Sequence, residues 1–274
     1  MRVSLIQLAA DVDLEANLAQ ARDLVEHAIA ADQPDLVVLP ETFTLIGGDA
    51  AARAAAAETI PDGPASRMLQ ELASRHRITI HGGSFLEKGP DSRAYNSTIV
   101  VGPDGEIVVR YRKIHLFDVT APDGRIFRES DGIAPGTELA TYELGGFRLG
   151  CTICYDLRFP ELFQLLARQG AEVYLVPSAF TQQTGKDHWE VLLRARAIEN
   201  GAYVLAPGQS GPHPTSRRTS WGHSMVVDPW GSVIAQASDG PGWVTARLDH
   251  DRVVQARRMI PTHRHHRLVE PWDA

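Results

Sequence analysis

Cysteine is scarce in this chain. There are two in 274 residues, Cys151 and Cys154, only three positions apart. A pair that close cannot staple a fold, so no disulfide framework is expected, and free thiols fit a reducing cytoplasm. Positive charge is also in deficit. A formal net charge of −7 lacks the basic surface that phosphate neutralisation requires, so nucleic acid is not an expected partner. No apolar run approaches the length of a membrane span, which argues against a membrane partner. Strand-like sequence starting at Val3 leaves no room for a signal peptide. Neither G-x-S-x-G nor G-x-x-x-x-G-K occurs, which removes serine-hydrolase and nucleotide-hydrolase readings of the usual form.

What is present is ordinary for a globular enzyme. Hydrophobic residues make up 43% and charged residues 22%, enough apolar material for a sizeable core. The length suits one α/β unit, and residues 1–274 are expected to form a single domain, with no linker, low-complexity tract or exact internal repeat. Buried strands are expected at Val3–Ala9, Leu36–Leu39, Ile78–Ile80, Val173–Val176, Tyr203–Ala206 and Val244–Leu248. Between them lie helical stretches. Asp13 caps one with Leu14, Leu18, Ala21, Val25 and Ile29 at helical spacing, and Gly63-Pro64 opens another. Further helices are expected over 160–168, 188–199 and 252–258, and the alanine-rich run 50–57 reads as helix. Hairpins are expected around Pro103-Asp104-Gly105, Gly145-Gly146 and Pro229-Trp230-Gly231. Helices and strands alternate in two similar halves, which predicts mixed α/β sheets covered by helices.

Three reactive residues stand at the exits of apolar strands. Glu41 follows Leu36-Val37-Val38-Leu39-Pro40, Lys113 follows the strand 107–112, and Cys154 follows Phe147–Ile153. Three such exits point to one site at one edge of a sheet. Taken singly, each residue has a structural explanation: a buried core thiol, a solvated strand-end lysine, a capping glutamate. Cys151 and Cys154 also spell C-x-x-C, but no second pair or spaced histidines complete a zinc site, and a thioredoxin-type dithiol belongs to a smaller fold. Cys151 is expected in the core, facing away from Cys154. His263, His265 and His266, set among Arg264 and Arg267, read as a solvated or interface tail. Arg158 and Arg196 read as helix-to-loop ties.

Together, Leu39-Pro40-Glu41, Tyr111-Arg112-Lys113-Ile114-His115-Leu116 and Ile153-Cys154-Tyr155-Asp156 resemble the Glu-Lys-Cys triad of the nitrilase superfamily of carbon–nitrogen hydrolases. The resemblance runs from Val3 to about Arg267. It is strongest to the Nit amidase branch, through Ser178-Ala179-Phe180-Thr181, the block 188–199 and the block 221–231. It implies a four-layer αββα sandwich, and an amidase that hydrolyses a small carboxamide, bearing a carboxylate or 2-oxo acid, to acid and ammonia through a thioester. Deaminated glutathione and ω-amides are the substrates the branch implies, and the block 178–199 leans towards the first.

By the same resemblance Cys154 is the nucleophile and Glu41 shuttles the proton. Lys113 and the Tyr155 backbone N–H hold the oxyanion, and Glu129 orients Lys113. The Cys154 thiol is expected to be acidified by Lys113 and by the N-terminus of the helix that follows it. No metal or other cofactor is implied, and a homodimer or higher homo-oligomer is, built on the helices after Cys154 and after Lys186. Arg217 or Arg218, in the loop 208–220, is a candidate for a substrate carboxylate, with a solvated loop arginine the alternative. Nitriles and N-carbamoyl amino acids are the alternative substrates. Tyr155-Asp156 differs from the residues that usually follow the nucleophile in those groups. A non-catalytic scaffold is the alternative from another class.

Overall fold

A computed structural model describes residues 1–121, 124–216 and 218–268. The chain opens with β1 (Arg2–Gln7), α1 (Leu14–Asp32) and β2 (Leu36–Val38). Two helices, α2 (Ala50–Ala56) and α3 (Pro64–His76), lead to β3 (Thr79–His81). Then come β4 (Phe85–Lys88), β5 (Ala94–Val101) and β6 (Ile107–Arg112), joined antiparallel. A small ribbon pairs β7 (Asp118–Thr120) with β8 (Ile126–Arg128).

The second half begins with the hairpin of β9 (Thr141–Leu144) and β10 (Phe147–Cys151). It continues through α4 (Pro160–Arg168), β11 (Val173–Leu175), α5 (Gln182–Asn200) and β12 (Tyr203–Ala206). A second ribbon, β13 (Ser210–His213) with β14 (Arg218–Trp221), precedes the hairpin of β15 (Met225–Val227) and β16 (Val233–Gln236). The last elements are β17 (Gly242–Arg247) and α6 (His250–Met259).

Two large sheets result. One runs β17-β1-β2-β3-β5-β4 with β6 also on β5, the other β16-β15-β12-β11-β10-β9. In each, three central parallel strands are linked through helices: β1, β2, β3 in the first and β10, β11, β12 in the second. Alternate residues of the first sheet serve two cores. Val3, Leu5, Leu36 and Val38 join a cluster that also holds Leu149, Val173 and Leu205 of the second sheet. Ile6, Val37, Leu39 and Ile80 point the other way, onto Val25 of α1 and Leu69 and Leu72 of α3. Leu162 and Phe163 of α4 and Trp189 and Leu193 of α5 join the cluster of the second sheet.

The layers are therefore helix, sheet, sheet, helix, the αββα sandwich. Burial of both faces is why these strands read as unbroken apolar runs. Each such side chain contributes about 1.5–3 kcal/mol of burial before chain entropy is set against it.

The elements differ from expectation mainly at their ends. The strand expected to reach Ile153 stops at Cys151, because Thr152 turns its N–H and its hydroxyl onto Leu175 O and the chain leaves the ladder. The long helix α5 starts at Gln182, earlier than the expected 188, with the Thr181 hydroxyl accepting from Thr184 N–H at its N-terminus. Gly185, inside the added first turns, is needed for packing: a Cβ would sit 2.3 Å from the Trp221 side chain. His263 is buried in a short 3-10 turn rather than forming part of a solvated tail. Among the described residues no helix is long and apolar enough to cross a membrane.

Candidate active site

Parallel strands of an α/β sheet present their carboxyl ends to one edge, the usual place for a ligand. Glu41 lies just past β2. Its strand exit is pinned on both sides: Leu39 N–H donates to His81 O, and Ser84 N–H donates to Pro40 O at 3.1 Å. The neighbouring Gly83 has φ +55°, and a Cβ there would meet Pro40 O at 2.1 Å. Only glycine lets the two backbones approach this closely. Glu41 is 4% exposed. Its Oε2 accepts from Ala179 N–H at 2.9 Å, and its carbonyl accepts from Gln209 Nε2 at 3.0 Å.

Lys113 follows β6 and is only 2% exposed. Its Nζ donates to Glu41 Oε1 at 2.8 Å and to Glu129 Oε2 at 2.9 Å. Glu129 opens a 3-10 turn after β8 and is held by Phe117 N–H at 2.6 Å. Asn96 of β5 completes the group. Its Nδ2 donates to Glu41 Oε1 at 3.0 Å and to Glu129 Oε1 at 3.3 Å. Sequence reasoning passed over Asn96, which sits with Ser97 and Thr98 in a polar stretch of β5 that does not single it out.

Cys154 comes from the other sheet. It begins the 3-10 turn Cys154–Arg158 beyond β10 and has φ +47°, the left-handed region. A residue with a Cβ held there costs roughly 1–2 kcal/mol, so the surroundings must impose it. They do: Cys154 N–H donates to Pro177 O at 2.9 Å, and Asp156 N–H donates to Ile153 O at 3.1 Å. The residue is 7% exposed.

Glu41, Lys113, Glu129, Asn96, Cys154 and Tyr155 all line one cavity of about 330 Å³. The charges are two carboxylates and one ammonium, with the thiol beside them. Burial would depress the Lys113 ammonium, but the Glu129 and Glu41 carboxylates outweigh it and hold Lys113 well above the usual lysine range. The Cys154 thiol departs from expectation. Burial first, then the charge of Glu41, push it well above its ordinary value, and the opposing pull of Lys113 does not offset them. Burial and the nearby carboxylate therefore favour the protonated thiol, the reverse of the expected acidification.

The cavity wall also carries Arg53, Arg128, Arg158 and Arg218. Arg218 stacks over Phe127, and Arg158 lies over Phe180 with Nη1 3.3 Å from His188 Nδ1. Arg158 was expected to be a tie; it faces the cavity as well. Arg196 is the tie expected: buried, it donates twice to Leu157 O, at 3.1 and 2.9 Å, and pairs with Glu199. Arg217 lies outside the described residues. Among the described residues no three His, Cys, Asp or Glu side chains gather as metal ligands.

The sequence profile of carbon–nitrogen hydrolases matches residues 2–258. The chain belongs to that family. It is 42% identical over 270 residues to the deaminated glutathione amidase of Synechocystis sp., a match covering 96% of this chain and 97% of that one. Among solved structures, the C. elegans NitFhit protein superposes with a TM-score of 0.89 at 38% identity, over 98% of this chain and 66% of that longer one. Nit3 of Saccharomyces cerevisiae, from branch 10 of the nitrilase superfamily, gives a TM-score of 0.85 at 34% identity, over 95% of this chain and 94% of that one. As a carbon–nitrogen hydrolase of the Nit branch, the protein is a cysteine-dependent amidase, which sets aside the non-catalytic scaffold.

Proposed function

We propose that this carbon–nitrogen hydrolase cleaves a small amide carrying at least one carboxylate, of the deaminated-glutathione or ω-amide kind, with Cys154 as nucleophile. One observation carries the reading: Glu41 and Lys113, joined at 2.8 Å, line the same cavity as Cys154. As Cys154 Sγ attacks the carbonyl carbon, its proton passes to Glu41, and the S–C bond forms. The negative charge of Glu41 then reappears on the substrate oxygen, where Lys113 and the Tyr155 N–H would hold it. Charge moves a short distance inside the cluster instead of being created in a buried place. Glu41 returns the proton to the departing nitrogen as the C–N bond breaks, leaving a thioester. It then takes a proton from water, which attacks the thioester, and passes that proton to Cys154 Sγ as the C–S bond breaks, freeing the acid and the thiol.

From a primary carboxamide the nitrogen leaves as ammonia. From deaminated glutathione, whose amide nitrogen belongs to a cysteinyl residue, it leaves as a peptide amine. Glu129 and Asn96 act by fixing Lys113 and Glu41. The four arginines on the wall favour an anionic substrate, because a guanidinium pairs with a carboxylate through two parallel hydrogen bonds.

Two free thiols fit a reducing cytoplasm. Leu165 of α4 and Val191 and Ile198 of α5 are large apolar side chains left exposed, which fits a second copy packing on those helices. Sedimentation or light scattering would test the dimer.

Amine and ammonia release from a panel of carboxylate-bearing amides, neutral amides, nitriles and N-carbamoyl amino acids tests the function. Turnover is expected for the first group, and preference for a nitrile or a carbamoyl compound would overturn the assignment. Chelators are expected to leave the rate unchanged, since thiol, acid–base carboxylate and oxyanion donors all come from the chain. Activity lost to a chelator and restored by one metal would refute this mechanism.

A further inference from the structure

We propose that Asp156 is a positioning residue that fastens the Cys154 turn of the second sheet to the strand exit carrying Lys113 on the first. Its side chain is fully buried and does not line the cavity, so it acts through other groups. Oδ2 accepts from Tyr111 OH at 2.7 Å and from Ile153 N–H at 2.9 Å. Oδ1 accepts from His115 N–H at 3.0 Å and lies 2.8 Å from His115 Nδ1. An ionised carboxylate only accepts, so Nδ1 carries the proton of that contact.

The placement of these partners is what matters. Ile153 immediately precedes Cys154, and Tyr111 and His115 stand two residues before and two after Lys113. One carboxylate thus grips the chain beside the nucleophile and on both sides of the ammonium. Phe159, closing the same turn, stacks on the His115 ring at 3.6 Å with the planes 7° apart, a second fastening across the junction. Burial and the Asp156 charge hold the Tyr111 phenol well above its usual range, so it stays a donor.

Cys154 occupies a backbone conformation that it would not choose alone, and its Sγ must meet a carbonyl whose oxygen Lys113 reaches. The two groups arrive from different sheets. Their separation depends on how the sheets are joined here, and Asp156 is a direct join. Catalysis needs that spacing held to a fraction of an ångström.

Asp156→Asn tests this, because the amide NH2 must then face either Ile153 N–H or His115 N–H, donor against donor. The kinetic arm rests on the amidase reading; the alkylation arm does not. In Asp156→Asn kcat is expected to fall roughly 10- to 100-fold with KM changed less than about threefold. Iodoacetamide labelling of Cys154 at fixed pH is expected to slow several-fold. Val25→Ala in α1, on the outer side of the first sheet, supplies the destabilised control and should keep wild-type kcat and labelling.

If Asp156→Asn behaves like Val25→Ala in both measurements well below its melting temperature, Asp156 is merely structural and the proposal is wrong. If Asp156→Asn does not fold, Tyr111→Phe, which removes one of the four contacts, decides. Slower labelling with lower kcat supports the join, and wild-type values for both overturn it. A wild-type enzyme without amidase activity would sink the functional reading, while the labelling comparison still judged Asp156.

Discussion

At the scale of single residues, the two thiols separate by access more than by acidity. Cys151 is sealed in the core, where burial pushes its thiol up to about 12. Cys154 opens on the cavity, yet its thiol is also raised. Alkylation followed by peptide mapping is therefore expected to label Cys154 and spare Cys151. Cys154→Ala should abolish turnover with little change in melting temperature, whereas Cys151→Ala should cost about 1 kcal/mol of packing and keep the chemistry. Labelling of Cys151, or wild-type turnover by Cys154→Ala, would contradict the assignment.

Glu41→Gln separates two roles of one carboxylate. Removing its charge takes away a cause of the raised thiol and leaves Lys113 opposing burial, so the midpoint of Cys154 alkylation should move to lower pH. Amide turnover should nevertheless fall at least ~100-fold, because the proton shuttle is gone. Glu41, Lys113 and Cys154 were legible as strand-exit residues whose motifs resemble those of a known family, and the structure adds that they line one cavity. Asn96 and Asp156 were not, since their partners lie 55 and 45 positions away, in Glu41 and Tyr111. The raised thiol was missed for the same reason: the burial of Cys154 and the nearness of Glu41 are properties of the fold.

At the scale of elements, the long periodic segments were readable and the short polar ones were not. α1, α3 and α4 begin where Asp13, Gly63-Pro64 and Pro160 announce them. The ribbons β7–β8 and β13–β14 carry little apolar patterning, and their partner strands rather than their composition hold them. Strand exits deserve the closest reading, because a glycine can decide where a reactive group ends up. Gly83→Ala would drive a Cβ into Pro40 O and Leu39 O in a left-handed conformation. A loss of about 2 kcal/mol or more is expected by denaturant titration. Because the strain falls on the residue next to Glu41, kcat should drop as well. Full activity in Gly83→Ala would show that the exit of β2 tolerates the shift.

At the scale of the whole molecule, one buried histidine gives stability a pH dependence. Burial lowers His81 from 6.5 to about 3, so it is neutral in the fold. The unfolded chain protonates the same ring below about 6.5. Between these values the unfolded state holds the extra proton, so stability rises with pH through that window and is complete above it. On acidification this group removes stability at up to ~1.4 kcal/mol per pH unit. Melting curves from pH 7 to pH 4 should show the decline, and His81→Leu should flatten it. An unchanged slope in that variant would assign the acid lability to other groups.

The seating of the cluster across two sheets also has a consequence for heredity. Glu41, Lys113 and Glu129 are encoded ahead of β9, and Cys154 after β10. β17, the last strand, returns to pair with β1 from Arg2↔Arg247 to Gln7↔Gly242. A gene fragment for the first half would specify an acid, a base and a cation with nothing to attack a substrate, on a sheet missing its border strand. A fragment for the second would specify a thiol with no proton acceptor. Selection for this chemistry therefore acts on the joined chain, since neither half carries the whole cluster.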